Sequence, residues 1–309
     1  MADILISEFL DETALELVPG NYSLHYDPAL VDKPGELAAR AAEAVALVVR
    51  NRTQVDAALL AAAPKLKVVG RLGVGLDNID VEACRRRGIA VCPASGANDV
   101  AVAEYVICTA MMLRRRAYQA SERVAAGAWP RNALIGGEVA GATLGLVGFG
   151  SIARHVARRA AALDMVVVAH DPFVPASDPV WERSGVARVD LDTLVAAVDI
   201  ASLHVPLTEE TRGLFDAWRL ARMKPSAILI NAARGGIVDE AALAAALSGG
   251  RLAGAALDVF DSEPLAGPAA ARLAGVPNLI LTPHIGGVTE ESNARVSKVT
   301  IENVLRVIA

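Results

Sequence analysis

"LGLVGFGSIARHVARRAAALDMVVVAHD", residues 144–171, is an apolar run that breaks into small residues at Gly148, Gly150 and Ala153, resumes as a helix, and ends a second apolar run on an acid. At Gly148 a strand must turn sharply into a helix, and glycine supplies backbone angles that a Cβ forbids. A side chain at Gly150 would hold the backbone away from a pyrophosphate, and a small residue at Ala153 lets helix and strand pack closely. The helix from Ser151 aims free N–H groups and its positive dipole end at those phosphates. Asp171 lands where adenosine ribose hydroxyls lie. A carboxylate there accepts from two hydroxyls and repels a 2′-phosphate, so the pattern predicts NAD rather than NADP.

Outward from this stretch, short β-branched runs alternate with Ala/Leu-rich helical ones, which predicts parallel sheets covered by helices on both faces. Strands are expected at "DILISEF", "YSLHYD", "AVALVVR", "LKVVGRLG" and "IAVCPA", making a small five-stranded doubly wound domain. Six more, "TLGLVGF", "MVVVAHD", "IASLHV", "AILINAA", "LAGAALDVF" and "NLILTPH", make a complete dinucleotide-binding sheet. Between the two sets, "VAVAEYVICTAMMLRRRAYQASERVAAG" is expected as one long interdomain or subunit-packing helix. A closing helix from about Glu290 returns to the first domain. The expected fold is therefore α/β with two doubly wound parallel-sheet domains, one formed by residues 1–97 and 285–309 and the other by residues 98–284.

Composition narrows the partners. The 309 residues are 53% hydrophobic with a net charge of −5 and interspersed signs, so no basic stripe suits nucleic acid and no polybasic anchor suits a membrane. The longest apolar stretch, residues 100–113, is interrupted by Glu104 and too short to span a bilayer. The N-terminus lacks the basic start and apolar core of a signal peptide. Cys84, Cys92 and Cys108 form no CxxC and predict a reduced, cytoplasmic protein without a metal site.

Three further stretches, "NAARGGIVDE", "LDVFDSEP" and "LTPHIGG", end strands of the second sheet, on the edge where open α/β sheets bind ligands. They place Arg234, Asp258 with Glu263, and His284 near the nicotinamide. Moving a hydride onto a ketone leaves an alkoxide unless a proton arrives, and a histidine suits that task near neutral pH. Glu263 would orient the imidazole and stabilise its protonated form. Arg234 can grip a carboxylate bidentately and polarise the neighbouring carbonyl. Asp258 is placed to receive the nicotinamide carboxamide. Together these residues predict interconversion of a 2-hydroxy acid and a 2-oxo acid.

With "GRLGVGLDNID", "NDVAVAEY", "GAWPRN", "LHVPLTEETRGL" and "NAARGGIVDEAAL" beside the stretches above, the chain resembles the D-isomer-specific 2-hydroxyacid dehydrogenases over nearly its whole length. The resemblance implies a flavodoxin-like substrate domain, a Rossmann NAD-binding domain, a cleft between them, and a homodimer formed through residues of about 100–142. It implies Arg234, Glu263 and His284 as catalytic residues, and the amides of Val74 and Gly75 as holders of the substrate carboxylate. Ser151, Ile152, Asp171, His204, Val205, Ala232, Asp258, Gly286 and Gly287 fall on cofactor contacts, with Val74, Arg234 and His284 also lining that site. Ala153 replaces a usual glycine, and Ser151 replaces a frequent arginine, so one charged pyrophosphate contact is lost.

Arg50, Arg52 and Arg71 lie at strand ends or in the loops that follow in the first domain, where they could bind a second anionic group. "VVRNRTQV" is similar to phosphoglycerate dehydrogenases, whereas "ILISEFLDE" with "HYDP" is similar to the sulfolactate dehydrogenase branch. The expected substrate is a small dianionic three-carbon acid of the 3-phosphoglycerate, sulfolactate or hydroxypyruvate/glycerate type. The chain stops after the closing helix, without the regulatory domain of longer phosphoglycerate dehydrogenases. Two alternatives share the fold: an NADH-sensing scaffold similar to C-terminal-binding-protein corepressors, and a phosphite dehydrogenase relative.

Overall fold

A computed structural model describes residues 3–116 and 120–309. The chain divides into two compact units, Met1–Asn98 with Val288–Ala309, and Asp99–Gly287.

The first unit holds five parallel strands: β1 (Ile4–Ile6), β2 (Leu24–Tyr26), β3 (Ala46–Val49), β4 (Val68–Arg71) and β5 (Ala90–Pro93), in the order β2-β1-β3-β4-β5. Successive residues of a strand face opposite sides. In β3, Leu47 and Val49 enter one buried cluster while Ala46 and Val48 enter the other. The helix Glu290–Ile308 covers the second cluster with Val296, Ile301 and Val304. Gly70 in β4 admits it: a Cβ there would lie 2.6 Å from a Val304 methyl and 2.9 Å from the Thr300 methyl.

The second unit holds seven parallel strands: β6 (Thr143–Val147), β7 (Val166–His170), β8 (Ala187–Arg188), β9 (Ile200–Leu203), β10 (Ile228–Asn231), β11 (Gly254–Leu257) and β12 (Leu279–Leu281). Their order is β12-β11-β10-β9-β6-β7-β8. The seventh strand is the two-residue β8, whose exposed residues carry no apolar pattern. The order reverses between β6 and β9, which puts the ligand crevice of such a sheet beyond their carboxyl ends. Strands buried on both faces explain the near-continuous apolar runs. Ile228 and Ile230 of β10 face one core and Leu229 faces the other.

Two helices pack against each other in the first of these cores. Ser151–Ala161 buries Ala153, Val156, Ala157 and Ala160, and Asp99–Arg115 contributes Ala103, Val106, Ala110 and Leu113, both at helical spacing. Ala153 is fully buried, so the small residue expected there serves close packing.

The expected single long helix is two helices instead, Asp99–Arg115 and Ser121–Ala125. Arg116 takes φ +54°, which ends the first one. The chain returns to cap that end, with the Gly137 N–H donating to Arg114 O at 2.8 Å. Residues 117–119 of the expected helix lie outside the described residues. The second junction between units falls after Gly287 rather than at Ile285, because the N–H groups of Ile285 and Gly286 donate to Asp258. Among the described residues no helix is long and apolar enough to cross a membrane.

Candidate active site

The glycine turn follows β6. Gly148 sits at φ +91° and its N–H donates to His170 O at 2.8 Å. A Cβ on Gly148 would lie 2.5 Å from His204 O, so the turn is pressed against the end of β9 at the point of strand reversal. Around Gly150, by contrast, a Cβ would meet nothing within 4 Å, and the space in front of the turn is open. Gly150 precedes the helix starting at Ser151, whose first-turn N–H groups have no carbonyl before them in the helix. An open glycine facing such a helix end fits a diphosphate.

The Ser151 hydroxyl donates to the buried Asp99 carboxylate, which leaves the Ser151 backbone N–H for an anion. Ile152 is half-buried beside it. Asp171, just past β7, accepts from Phe149 N at 2.8 Å and from Phe173 N at 2.9 Å. It therefore braces the glycine turn, and each oxygen keeps a lone pair for a ribose hydroxyl. His204, Val205 and Ala232 are half-buried at the ends of β9 and β10. The His204 Nε2 and the Ser202 hydroxyl are 2.9 Å apart, and burial pushes this imidazole down to about 4, so it is neutral at neutral pH. The residues present fit NAD.

Gly148→Ala is expected to weaken NADH binding at least tenfold by fluorescence titration. A Cβ at left-handed angles costs about 1–2 kcal/mol before any clash, and 1.4 kcal/mol is about tenfold. Unchanged affinity would contradict this account of the turn.

Arg234, Glu263 and His284 come from the loops after β10 and β11 and the end of β12. Buried Asn231 shapes the first loop: its Nδ2 donates to Arg234 O at 2.9 Å and its Oδ1 accepts from Ala233 N at 3.1 Å. The Arg234 Nη1 donates to Ala233 O at 2.5 Å. A Cβ on Gly235 would run into the Phe260 carbonyl, so glycine is what lets the first two loops touch. Glu263 accepts from Phe260 N at 3.1 Å, and its other oxygen meets His284 Nδ1 at 2.7 Å. Burial works to raise the Glu263 carboxyl, but the His284 hydrogen bond and charge, the Phe260 N–H and the Arg234 charge together hold it below the usual carboxylate value. It stays a carboxylate through neutral pH. The stabilisation it gains is full above the ordinary carboxylate value and disappears as pH falls through the lowered one.

With Nδ1 turned to Glu263, Nε2 is the nitrogen left to exchange a proton with a substrate. His284 itself has φ +57°, unusual for a residue with a Cβ, and its N–H donates to Asp258 O at 2.8 Å. Asp258 is buried and accepts from Ile285 N at 2.8 Å, Gly286 N at 2.7 Å and the Thr282 hydroxyl at 2.6 Å. A Cβ on Gly286 would sit 2.9 Å from Asp258 Oδ2. Asp258 is thus first a clamp on the loop of residues 284–287, in which Gly287 is half-buried, with a remaining lone pair on Oδ2 for a carboxamide. The Asp258 N–H also donates to Asn231 O at 2.9 Å, tying the Arg234 and His284 loops together. Asp99 and Asn231 were not among the expected site residues. Among the described residues no three His, Cys, Asp or Glu side chains converge as metal ligands.

The first-unit candidates separate. Arg50 is half-buried after β3, its Nη2 donating to Asn293 Oδ1 at 3.0 Å and its guanidinium 5.6 Å from the Phe9 ring centre. Burial lowers its pKa, with nearby Glu8 acting the other way. Arg52 is paired on the surface with Asp32. Arg71 turns into its own loop, Nη1 donating to Leu72 O at 2.6 Å, in the space a Cβ on Gly73 would need. Val74 is exposed and Gly75 half-buried in the same loop. The structure therefore sets Arg50 apart from Arg52 and Arg71. Buried Glu8 shapes its loop by accepting from the N–H groups of Arg50 (2.8 Å), Arg52 (3.1 Å) and Thr53 (2.9 Å).

Residues 107–286 match the family model for the D-isomer specific 2-hydroxyacid dehydrogenase, NAD binding domain. The whole chain is 57% identical to an (S)-sulfolactate dehydrogenase of Chromohalobacter salexigens, over 99% of that protein. It is 40% identical, over 98% of its length, to a D-3-phosphoglycerate dehydrogenase of Archaeoglobus fulgidus, of which it spans only 56%. The crystal structure of a D-lactate dehydrogenase from Aquifex aeolicus, complexed with NAD and lactic acid, superposes with a TM-score of 0.84. That match has 28% identity and covers 99% of this chain and 95% of that one.

Proposed function

The chain belongs to the D-isomer specific 2-hydroxyacid dehydrogenase family, and from that premise we propose that its substrate is a three-carbon 2-hydroxy acid carrying a second strong anion, of the sulfolactate type. The reaction class is NAD-dependent interconversion of a 2-hydroxy acid and a 2-oxo acid. The observation that carries the site assignment is the 2.7 Å contact of His284 with Glu263, within the field of Arg234.

Bound NAD supplies or accepts the hydride. In the reducing direction the His284 Nε2 gives a proton to the carbonyl oxygen, and in the oxidising direction it removes one from the hydroxyl. Glu263 holds the ring by Nδ1. Arg234 binds the substrate carboxylate and polarises the neighbouring carbonyl. The amides of Val74 and Gly75 are the further donors that the family resemblance assigns to a substrate carboxylate.

Two arguments support the sulfolactate type. One is the 57% identity over the whole chain. The other is stereochemical. In D-lactate the carboxylate outranks the methyl group, whereas in sulfolactate the sulfur-bearing carbon outranks the carboxylate. The same spatial arrangement is therefore labelled R in lactate and S in sulfolactate, so an enzyme for (S)-sulfolactate keeps the D-type arrangement. Arg50, partly desolvated and held by Asn293, is the cation assigned to the second anion.

The test is a panel of 3-sulfopyruvate, 3-phosphohydroxypyruvate, hydroxypyruvate, pyruvate and glyoxylate with NADH. We expect 3-sulfopyruvate to exceed the monoanions in kcat/KM by at least about thirtyfold, since a desolvated charge pair is worth about 2–5 kcal/mol. Arg50→Ala should remove that preference and Arg52→Ala should keep it, because Arg52 is engaged at an exposed ion pair worth at most about 1 kcal/mol. Equal kcat/KM across the panel would overturn the substrate assignment.

A homodimer through residues of about 100–142 belongs to the same proposal. It is supported by the exposure of Trp129 (80%) and Ile135 (71%), unusual for large apolar side chains. A cytoplasmic location is supported by free thiols at Cys84, Cys92 and Cys108.

A further inference from the structure

A chain of hydroxyls runs from the helix Asp99–Arg115 to the loop that carries His284. The Tyr105 hydroxyl lies 2.6 Å from Thr282 Oγ1, and the Thr282 hydroxyl donates to Asp258 Oδ1, also at 2.6 Å. Thr282 has one hydroxyl proton and directs it at Asp258. It can therefore only accept from Tyr105, which must be the donor. The direction of the chain is set: Tyr105 to Thr282 to Asp258.

What Asp258 does with the far end is already visible. Three consecutive N–H groups converge on this one residue: His284 on its carbonyl at 2.8 Å, Ile285 on Oδ1 at 2.8 Å and Gly286 on Oδ2 at 2.7 Å. They hold His284 at φ +57°, a backbone conformation that persists in a residue with a Cβ only where the surroundings over-determine it. The Tyr105 ring closes the same space, since a Cβ on Gly286 would come within 3.5 Å of it. The carboxylate that clamps the loop is therefore itself held by the Tyr105–Thr282 pair.

We propose that Tyr105 and Thr282 are positioning residues for the proton transfer: through Asp258 they hold His284 in the backbone conformation that aims its imidazole at Glu263 and the substrate. Neither residue exchanges the proton. Burial pushes the Tyr105 phenol up to about 12, so it remains a donor over the whole working range. The proposal rests on His284 being the acid–base group, and its test separates the two.

The test uses the full-length enzyme with NADH and 3-sulfopyruvate, or the fastest 2-oxo acid of the panel, measuring kcat, KM and the NADH dissociation constant. Tyr105→Phe keeps the ring and deletes only the donor. Thr282→Val keeps the shape and deletes the link. Misplacing a catalytic group by about an ångström costs up to about a hundredfold. We expect kcat to fall about tenfold or more in each variant, with KM and NADH affinity within about threefold of wild type. Thr282→Ser should restore kcat. The double variant should be no slower than Thr282→Val alone, because a chain is broken only once.

Tyr105→Phe with wild-type kcat would overturn the proposal. So would losses that multiply in the double variant, or losses confined to NADH binding. His284→Ala in the same assay tests the underlying reading: if it retains wild-type turnover, that reading fails. If it is inactive while Tyr105→Phe is unaffected, only the positioning proposal fails.

Discussion

His284→Ala is expected to lower kcat for reduction of a 2-oxo acid by about 10²–10⁴-fold, the usual contribution of a positioned general acid. NADH affinity should stay within about threefold, since the lost interaction belongs to the transition state rather than to cofactor binding. His284 Nδ1 is fixed on Glu263 at 2.7 Å, which leaves Nε2 for the substrate. Glu263 is held below the usual carboxylate value, so it stays negative beside the imidazole while the proton comes and goes. Removing the ring removes the proton source but disturbs neither the glycine turn nor Asp171. Steady-state kinetics alongside fluorescence titration of NADH reads both halves. A variant within about fivefold of wild-type kcat would remove His284 from the acid–base role.

Arg234→Ala should have the second-largest effect and a different signature. Truncating one partner of a hydrogen-bonded charge pair costs about 2–5 kcal/mol. At 1.4 kcal/mol per decade that is a loss of about 30- to 4000-fold in kcat/KM. The loss should fall on KM as well as kcat, because in the proposed role the guanidinium would grip the carboxylate in both ground and transition states. Arg234→Lys should recover little of it, since an ammonium cannot reproduce a bidentate fork. The backbone beneath Arg234 is held by Asn231 whichever side chain is present, so these variants should keep the wild-type fold. A loss below about tenfold would remove Arg234 from the carboxylate-binding role.

The features legible in the sequence are those that backbone geometry imposes on residue type. Gly148 must be glycine because a Cβ would meet the His204 carbonyl, and Ala153 must be small because it is buried between helix and sheet. Apolar runs reveal strands, most plainly those buried on both faces, which is why eleven of the twelve strands stand out and the two-residue edge strand β8 does not. The break at Arg116 is hidden because an arginine in a run of arginines adopts the left-handed conformation, without the glycine or proline that marks most helix ends. β2 is also short, but its aromatic and β-compatible residues signal it.

Side-chain networks are less legible because their partners are distant in sequence. Tyr105 and Thr282 are 177 positions apart, and Asp99 and Ser151 are 52 apart. Each residue alone is an ordinary side chain with a polar group, Tyr105 in mid-helix and the others at or just past the end of an element. Arg50, Arg52 and Arg71 are equivalent by sequence position, yet only the fold shows that Arg52 is paired with Asp32 and Arg71 is tucked into its own turn. Asp258 reads as a cofactor contact from its place at a strand end, while the structure adds its hold on three successive N–H groups.

The most direct test is to incubate the purified enzyme with NADH and 3-sulfopyruvate and to measure both the stoichiometry and the configuration of the product. The account predicts one NADH oxidised for each 2-hydroxy acid formed, all of it (S)-sulfolactate. An R product, or no oxidation of NADH with this or any other 2-oxo acid of the panel, would contradict it.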